Sequence, residues 1–290
     1  MILRKAVIPA AGLGTRFLSA TKVVPKELLP IVDRPALEYI VEELLESGIQ
    51  EVILVISPGK EIIFDHFTLG GTLEEILVKR GQISLLSRLE RLIKQIKFRK
   101  VYQHEALGLG HAVLCAKEVV GREPFAVVLP DDLVKARKPC LAQLLSAFKT
   151  ESISTIALEK VPKDQVHCYG IVGGNFSEES NYFRLNTIVE KPSLDKAPSQ
   201  WAIIGRYVLT PTIFDLLEQT PPGKIGEIQL TDALAKLAEI EGVIGIPFEG
   251  KRIDIGQPVG FVEANLLFAM EHLEAKKALA PVIEQFTRLK

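Results

Sequence analysis

Cysteine is scarce in this chain: there are three in 290 residues, Cys115, Cys140 and Cys168, and no two are close in sequence. That spacing provides neither a disulfide framework nor a thiolate zinc site, and a reduced, cytoplasmic compartment fits it best. An excess of charge of one sign is lacking as well. With 35 Lys and Arg against 36 Asp and Glu the net charge is −1, which argues against nucleic-acid binding through a basic face. Any grip on a polyanion must therefore be built locally. No apolar run is long enough to cross a bilayer, and the opening Met1-Ile-Leu-Arg-Lys5 has no signal-like apolar stretch, so no membrane partner is expected.

Familiar catalytic signatures are also missing. A dinucleotide fingerprint would want a third glycine where Phe17 stands, and the phosphate loop of NTPases would want Gly-Lys-Ser/Thr after its glycines. His104-Glu-Ala-Leu-Gly108 has glycine where a zinc-protease helix needs its second His. No Gly-X-Ser-X-Gly elbow occurs.

What is present begins with Ala6-Val-Ile-Pro-Ala-Ala-Gly-Leu-Gly-Thr-Arg16. A short apolar strand runs directly into small residues and two glycines, so the backbone N–H groups around Ala10, Ala11, Gly12 and Gly14 can approach a bound anion. Arg16 and Lys26 add positive charge beside it. Together they suggest a site for a nucleoside triphosphate, although two glycines after a strand also make an ordinary tight turn.

Further along, strand-like and amphipathic helical segments alternate. Pro35 opens a helix whose Leu37, Ile40, Val41, Leu44 and Leu45 share one face, with Gly48 suited to the position just past its end, and Glu51–Ile56 reads as a second buried strand. This alternation predicts an α/β fold with a mixed, mostly parallel sheet flanked by helices. Residues 60–97 read as helical and strongly charged, with apolar stripes through Leu73, Ile76, Leu85 and Leu92, and carry no assigned chemistry. Strands are expected at Phe98–His104, Phe125–Pro130, Ile153–Leu158, Tyr169–Val172, Phe183–Val189, Trp201–Leu209 and Val243–Pro247. The chain ends in two helices whose Phe261, Leu266, Leu267, Phe268, Val282, Ile283 and Phe286 could complete the core or face a partner. With no repeat and no clear linker, one domain spanning 1–290 is the simplest organisation: a nucleotide-binding part of about 1–150, then an elaborated second part of about 151–290 that includes the C-terminal helices.

In open α/β sheets ligands bind beyond the C-terminal ends of strands. Ala10–Arg16, Gln103 and Gly108, and Asp131 after Val127-Val-Leu129 all fall at such places, so one shared cleft is plausible. Asp131 and Asp132 could be turn or helix-capping residues, or could offer carboxylates to a hard cation that takes its other ligands from phosphates and water. Asp254, in Arg252-Ile-Asp-Ile-Gly-Gln-Pro258, is a second candidate. Gly170 and Gly205 could be strand bulges or places of close backbone approach to a ligand.

Gly12-Leu-Gly-Thr-Arg16, Lys22 and Pro25-Lys-Glu-Leu-Leu-Pro30 in sequence resemble the signature of the sugar nucleotidyltransferases. The fuller run Phe17–Asp33 resembles the UTP–glucose-1-phosphate uridylyltransferase branch of that family. Matches continue in order through Tyr169-Gly-Ile-Val172, Val189-Glu-Lys-Pro192, Ile204-Gly-Arg-Tyr-Val208 and Gly226-Glu-Ile-Gln-Leu-Thr-Asp232. The resemblance implies a Rossmann-like fold of the nucleotide-diphospho-sugar transferase type and Mg²⁺ as cofactor at Asp131 and Asp254, with Asp132 the weaker ligand. It also implies UTP and glucose 1-phosphate as substrates, and a homodimer or homotetramer. Lys191 would align the attacking phosphate, Arg16 and Lys26 would neutralise the leaving pyrophosphate, and Gln103, with backbone near Ala11 and Gly108, would read uracil. Glu190, with the backbone at Gly170 and Gly205, would receive the sugar. Departures are His167-Cys168, where the family commonly has a basic residue, Gly173-Gly174 for a more polar turn, and the step Asp254-Ile-Gly256. The alternatives are a thymidylyltransferase acting on the same sugar phosphate, and a nucleotide-binding regulatory protein without turnover.

Overall fold

A computed structural model describes residues 3–223 and 226–287. Its strands are β1 (Lys5–Pro9), β2 (Pro30–Ile31), β3 (Arg34–Pro35), β4 (Glu51–Ile56), β5 (Lys97–Tyr102), β6 (Phe125–Val128) and β7 (Asp132–Lys135), followed by β8 (Ser154–Lys160), β9 (Gly170–Ser177), β10 (Tyr182–Glu190), β11 (Trp201–Leu209), β12 (Val243–Pro247) and β13 (Lys251–Asp254). Nine of them form one sheet in the order β5-β4-β1-β6-β11-β8-β12-β10-β9, with β9 also pairing to β11. The sheet is mixed. Its first four strands run parallel, as the helical crossovers between them require, and β12 lies parallel to β8. β11 runs antiparallel to β6, β8 and β9, and β9–β10 is a hairpin whose last pair, Gly170 and Glu190, ends at the cleft.

Alternating side chains sort the core into two layers. Ala6, Ile8, Val52, Leu54, Ala126 and Val128 pack with Leu37, Ile40, Leu44 and Leu141 on one face. Val7, Ile53, Val55, Phe125 and Val127 pack with Val113, Phe214 and Leu234 on the other. Burial on both faces is why these strands read as continuous apolar runs rather than alternating ones.

The helix expected after Pro35 spans Ala36–Glu46, with Pro35 itself in the short β2–β3 ladder, and Gly48 follows it at φ 88°. Residues 60–97 do form helices, at Ile62–Asp65, Thr72–Lys79 and Ser87–Gln95. Leu92 and Ile96 are buried, whereas Leu73, Ile76 and Leu85 lie on the surface. At the C-terminal end Pro258–Ala269 and Leu273–Thr287 are helical; Phe261, Leu267 and Phe268 pack on the first core layer, while Leu266, Val282 and Ile283 are exposed. Met1, Ile2 and the side chain of Phe286 lie outside the described residues. Among the described residues no helix is long and apolar enough to cross a membrane.

The ladder of β7 with β13 was not anticipated. It sets Asp254 opposite Asp132 and Ile253 opposite Leu133 across an antiparallel pair. Through it, residues from the middle and the end of the chain meet at one edge of the cleft.

Candidate active site

The loop after β1 is pinned from behind and open in front. Ala10 is fully buried and its N–H donates to the Val55 carbonyl at 2.7 Å. Lys60 Nζ, arriving just after β4, donates to the carbonyls of Ala10 at 2.9 Å and Gly12 at 2.7 Å and to Glu27 Oε2 at 3.1 Å. Gly14 takes φ 66°, and its carbonyl accepts from Thr21 Oγ1 at 2.8 Å. The N–H groups of Ala11, Gly12, Leu13 and Gly14 donate to no acceptor among the described residues. A loop with its carbonyls tied back and its N–H groups unspent is suited to a polyphosphate.

These residues line a hollow of about 440 Å³ together with Lys26, Gln103, Gly108 and Asp131. A second hollow, about 570 Å³, is lined by Arg16, Asp131, Gly170, Glu190, Lys191 and Asp254, with Gly205 in its wall. The two share Leu109, Leu129 and Asp131. The structure thus brings the candidate residues together around one divided cleft. Ala10 is the exception, since it stands behind the loop and contributes backbone only.

The aspartates differ in environment. Lys26 Nζ bonds Asp131 Oδ2 at 2.8 Å. Burial alone would lower the Lys26 pKa and raise that of Asp131, but their mutual attraction outweighs it, holding the amine above and the carboxyl below their usual ranges. Asp132 is committed elsewhere: Arg252 Nε donates to its Oδ1 at 2.5 Å and the Gly205 N–H to its Oδ2 at 3.1 Å. Its burial pushes the carboxyl up against the opposing pull of Arg252. Asp254 Oδ1 accepts from the Gly256 N–H at 3.0 Å, and Ile255 N–H bonds the Asp131 carbonyl at 2.8 Å. A Cβ placed on Gly256 would stand 3.1 Å from Asp254 Oδ1 and 3.2 Å from Asp131 Oδ2. Glycine therefore leaves open the space that both carboxylates face. Among the described residues no group of three or more His, Cys, Asp or Glu side chains converges as a metal cage. Two facing carboxylates are nevertheless the donor set that suits Mg²⁺, which fills its other positions with water and substrate phosphates.

Behind this edge lies a fully buried guanidinium. Arg206 donates to Glu43 Oε2 at 2.8 Å, the Asp132 carbonyl at 2.7 Å and the Gly205 carbonyl at 3.0 Å. It ties β11 to the Asp131–Asp132 step from the side opposite the cleft. In the second hollow, Glu190 Oε2 accepts from Thr231 Oγ1 at 3.0 Å, and Lys191 Nζ lies 3.3 Å from Glu190 Oε1. Lys191 holds φ 43° while its N–H bonds the Tyr169 carbonyl at 3.0 Å. A Cβ on Gly170 would meet Thr231 Cγ2 at 2.7 Å, and one on Gly205 would meet Asp132 Oδ2 at 2.8 Å. These glycines thus permit close packing of protein against protein at the rim.

Lys60, Arg206, Arg252 and His111 are site elements that sequence reasoning did not single out. An arginine inside the otherwise apolar Trp201–Leu209 was the available signal for Arg206; the others are unremarkable until the fold places them.

The chain matches the nucleotidyl transferase family model over residues 5–271. It is 47% identical over 282 residues to a UTP–glucose-1-phosphate uridylyltransferase of Bacillus subtilis, covering 97% of this chain and 96% of that one. It is similar to a UTP-bound UGPase from Acinetobacter baumannii at TM-score 0.89 and 40% identity, with 97% and 99% of the two chains covered. A UDP-glucose pyrophosphorylase complexed with UDP-glucose superposes at TM-score 0.86 and 39% identity, covering 93% of this chain and 100% of that one.

Proposed function

Since the chain belongs to the nucleotidyl transferase family, we propose that it transfers the uridylyl group of UTP to glucose 1-phosphate, giving UDP-glucose and pyrophosphate. The observation that carries this reading is the cleft divided at Asp131, with an N–H-lined loop and Lys26 on one side and Glu190 and Lys191 on the other. The relatives bound to UTP and to UDP-glucose support the same two occupants.

In this reaction a phosphate oxygen of glucose 1-phosphate forms a bond to the α-phosphorus while the bond to the bridging oxygen breaks in line, its electron pair leaving with pyrophosphate. The nucleophile is already anionic, so no general base is required. The task is to hold two polyanions together, and positioning and electrostatic stabilisation carry the rate. Lys191 aligns the attacking phosphate. Arg16 and Lys26 neutralise the departing pyrophosphate, and the loop N–H groups of Ala11, Gly12 and Gly14 fix the triphosphate. Gln103 and the backbone at Gly108 receive the base; Glu190 accepts from sugar hydroxyls, with Gly170 and Gly205 shaping the wall. Asp131 and Asp254 would hold Mg²⁺, which when bound draws negative charge from the phosphate oxygens.

The working division of the chain is a nucleotide part of about 1–150 and a sugar part of about 151–290. The halves interlock, since Arg16 reaches the sugar hollow and Glu227 lines the nucleotide hollow. A homodimer or homotetramer in the cytoplasm, with the exposed Leu266, Val282 and Ile283 available for burial, completes the proposal. Sedimentation tests the assembly.

Pyrophosphate release with glucose 1-phosphate tests the function, comparing UTP, dTTP, CTP, ATP and GTP with and without EDTA. UTP-dominated release abolished by EDTA is expected. Preference for dTTP would transfer the assignment to thymidylyl chemistry, and UTP binding without release would refute the enzyme reading.

A further inference from the structure

The base-reading residue does not stand alone. Gln103 is buried just past β5, and its Nε2 lies 3.1 Å from the Gly108 carbonyl and 3.0 Å from His111 Nδ1. The carbonyl can only accept, so the atom facing it is the amide nitrogen. That nitrogen can only donate, so His111 Nδ1 must be the acceptor and carry no proton. Both amide hydrogens are then used within the protein. Gln103 Oε1 meets no donor among the described residues, and Gln103 forms part of the wall of the nucleotide hollow.

We infer that His111 is a positioning residue for base selection: by accepting from Gln103 Nε2 it presents Gln103 Oε1 to the base as an acceptor only. Uracil carries a donor at N3, and cytosine carries an acceptor there. With the amide so locked, uracil gains a hydrogen bond that cytosine would replace by the opposition of two lone pairs. To welcome cytosine the amide would have to turn over, bringing its oxygen against both the Gly108 carbonyl and His111 Nδ1.

Gly108 alone would hold the amide less firmly, since a turn would then sacrifice one bond instead of two. Gly108, at φ 93°, opens the helix Gly108–Cys115 that also carries His111, so one element sets both acceptors against the amide. Cys115 Sγ stands 4.0 Å from Nδ1 and 3.9 Å from Nε2, too evenly placed to choose between the ring nitrogens, so the contact with Gln103 sets the tautomer. This inference rests on the uridylyl reading for the identity of the base and goes beyond it in naming what enforces the choice.

The test compares dissociation constants for UTP and CTP in wild type, His111→Ala, His111→Leu and His111→Asn, alongside wild-type turnover of UTP with glucose 1-phosphate. Asn can return an acceptor oxygen near the place of Nδ1; Leu fills the space and accepts nothing. The preference for UTP over CTP should narrow at least about tenfold in the Ala and Leu variants, the scale of one hydrogen bond, and should recover in Asn. An unchanged ratio in Leu or Ala, with both nucleotides weakened together, would show a merely structural role and overturn the inference. So would an Asn variant no better than Leu, or a wild type indifferent to the base. If wild type prefers UTP in binding and the variants behave as expected but no pyrophosphate is released, the lock stands and the catalytic reading falls.

Discussion

Lys26 and Asp131 form a 2.8 Å ion pair across the line where the two hollows meet. It joins a lysine of the first loop region to a carboxylate beyond β6. The pair has a pH signature. Asp131 has its pKa depressed in the folded chain, so its contribution to stability is present above the unfolded value of about 3.9 and is lost as pH falls through the folded value. Asp131→Asn is therefore expected to melt below wild type at neutral pH, with the gap closing in melts taken below about pH 3.9. Its activity should fall by about 10²-fold or more at saturating Mg²⁺. A pH-independent melting gap, or unchanged turnover, would separate Asp131 from these roles.

Gly256 offers a way to disturb the proposed Mg²⁺ site without altering either carboxylate. The added methyl of Gly256→Ala would sit 3.1 Å from Asp254 Oδ1 and 3.2 Å from Asp131 Oδ2, closer than carbon and oxygen usually pack. The concentration of Mg²⁺ needed for half-maximal activity should rise about tenfold, equivalent to about 1.4 kcal/mol, while the far-UV circular dichroism stays that of wild type. An unshifted Mg²⁺ titration would remove both aspartates from the metal assignment.

Much of this architecture could be read from the residues, and the exceptions have a common cause. β11 and β12 were anticipated over the residues they occupy, Trp201–Leu209 and Val243–Pro247, because strands buried on two faces advertise themselves as apolar runs. β7 and β13 were not. Each has four residues with charged ends, too short for a period to show, and each is a strand only because the other lies beside it. Lys60 was invisible for a similar reason: one cation among 35 gives no sign that the end of β4 brings it to the Ala10 and Gly12 carbonyls. The charged candidates of the site could be named individually, but the commitment of Asp132 to Arg252 and of the Gln103 amide to His111 are properties of three-dimensional placement.

Lys60→Met keeps the aliphatic stem and removes the two hydrogen bonds that restrain the loop at Ala10 and Gly12, together with the bond to Glu27. The loop should then sample conformations in which its N–H groups no longer converge. KM for UTP is expected to rise about tenfold, the scale of one to two net hydrogen bonds, with a smaller change in kcat. Glu27, whose carboxyl burial already pushes up and whose Oε1 has no partner among the described residues, loses its Lys60 bond in this variant. Adding Glu27→Gln should recover melting temperature but not KM. Equal recovery of both would reduce Lys60 to a stabilising role.

Arg206 and Glu43 test the support behind the cleft. Arg206 has no exposed side-chain surface and Glu43 has 10%, so removing either partner leaves a buried charge. Arg206→Met or Glu43→Met should each cost about 3–5 kcal/mol in urea unfolding. The double variant should lie much closer to wild type, because it buries neither charge. Single variants within about 1 kcal/mol of wild type would mean that water reaches the site and the pair is dispensable.

Lys191 separates function from stability most sharply. Its backbone lies at φ 43°, a region that side-chain-bearing residues adopt at a cost of about 1–2 kcal/mol. Glu190 Oε1, 3.3 Å away, is the nearest charged partner of its half-exposed side chain. A residue kept in a strained conformation for a weak surface pair is poorly explained by folding alone. Lys191→Gly relieves the backbone and removes the amine that would align the attacking phosphate. It should unfold at the same urea concentration as wild type or a higher one, yet lose about 10²-fold or more in turnover. Lys191→Ala should lose the same activity without the gain in stability. Retained turnover in both variants would place alignment of the sugar phosphate on another residue, whereas lost stability in the glycine variant would show that the side chain contributes more to the fold than its exposure and single ion pair indicate.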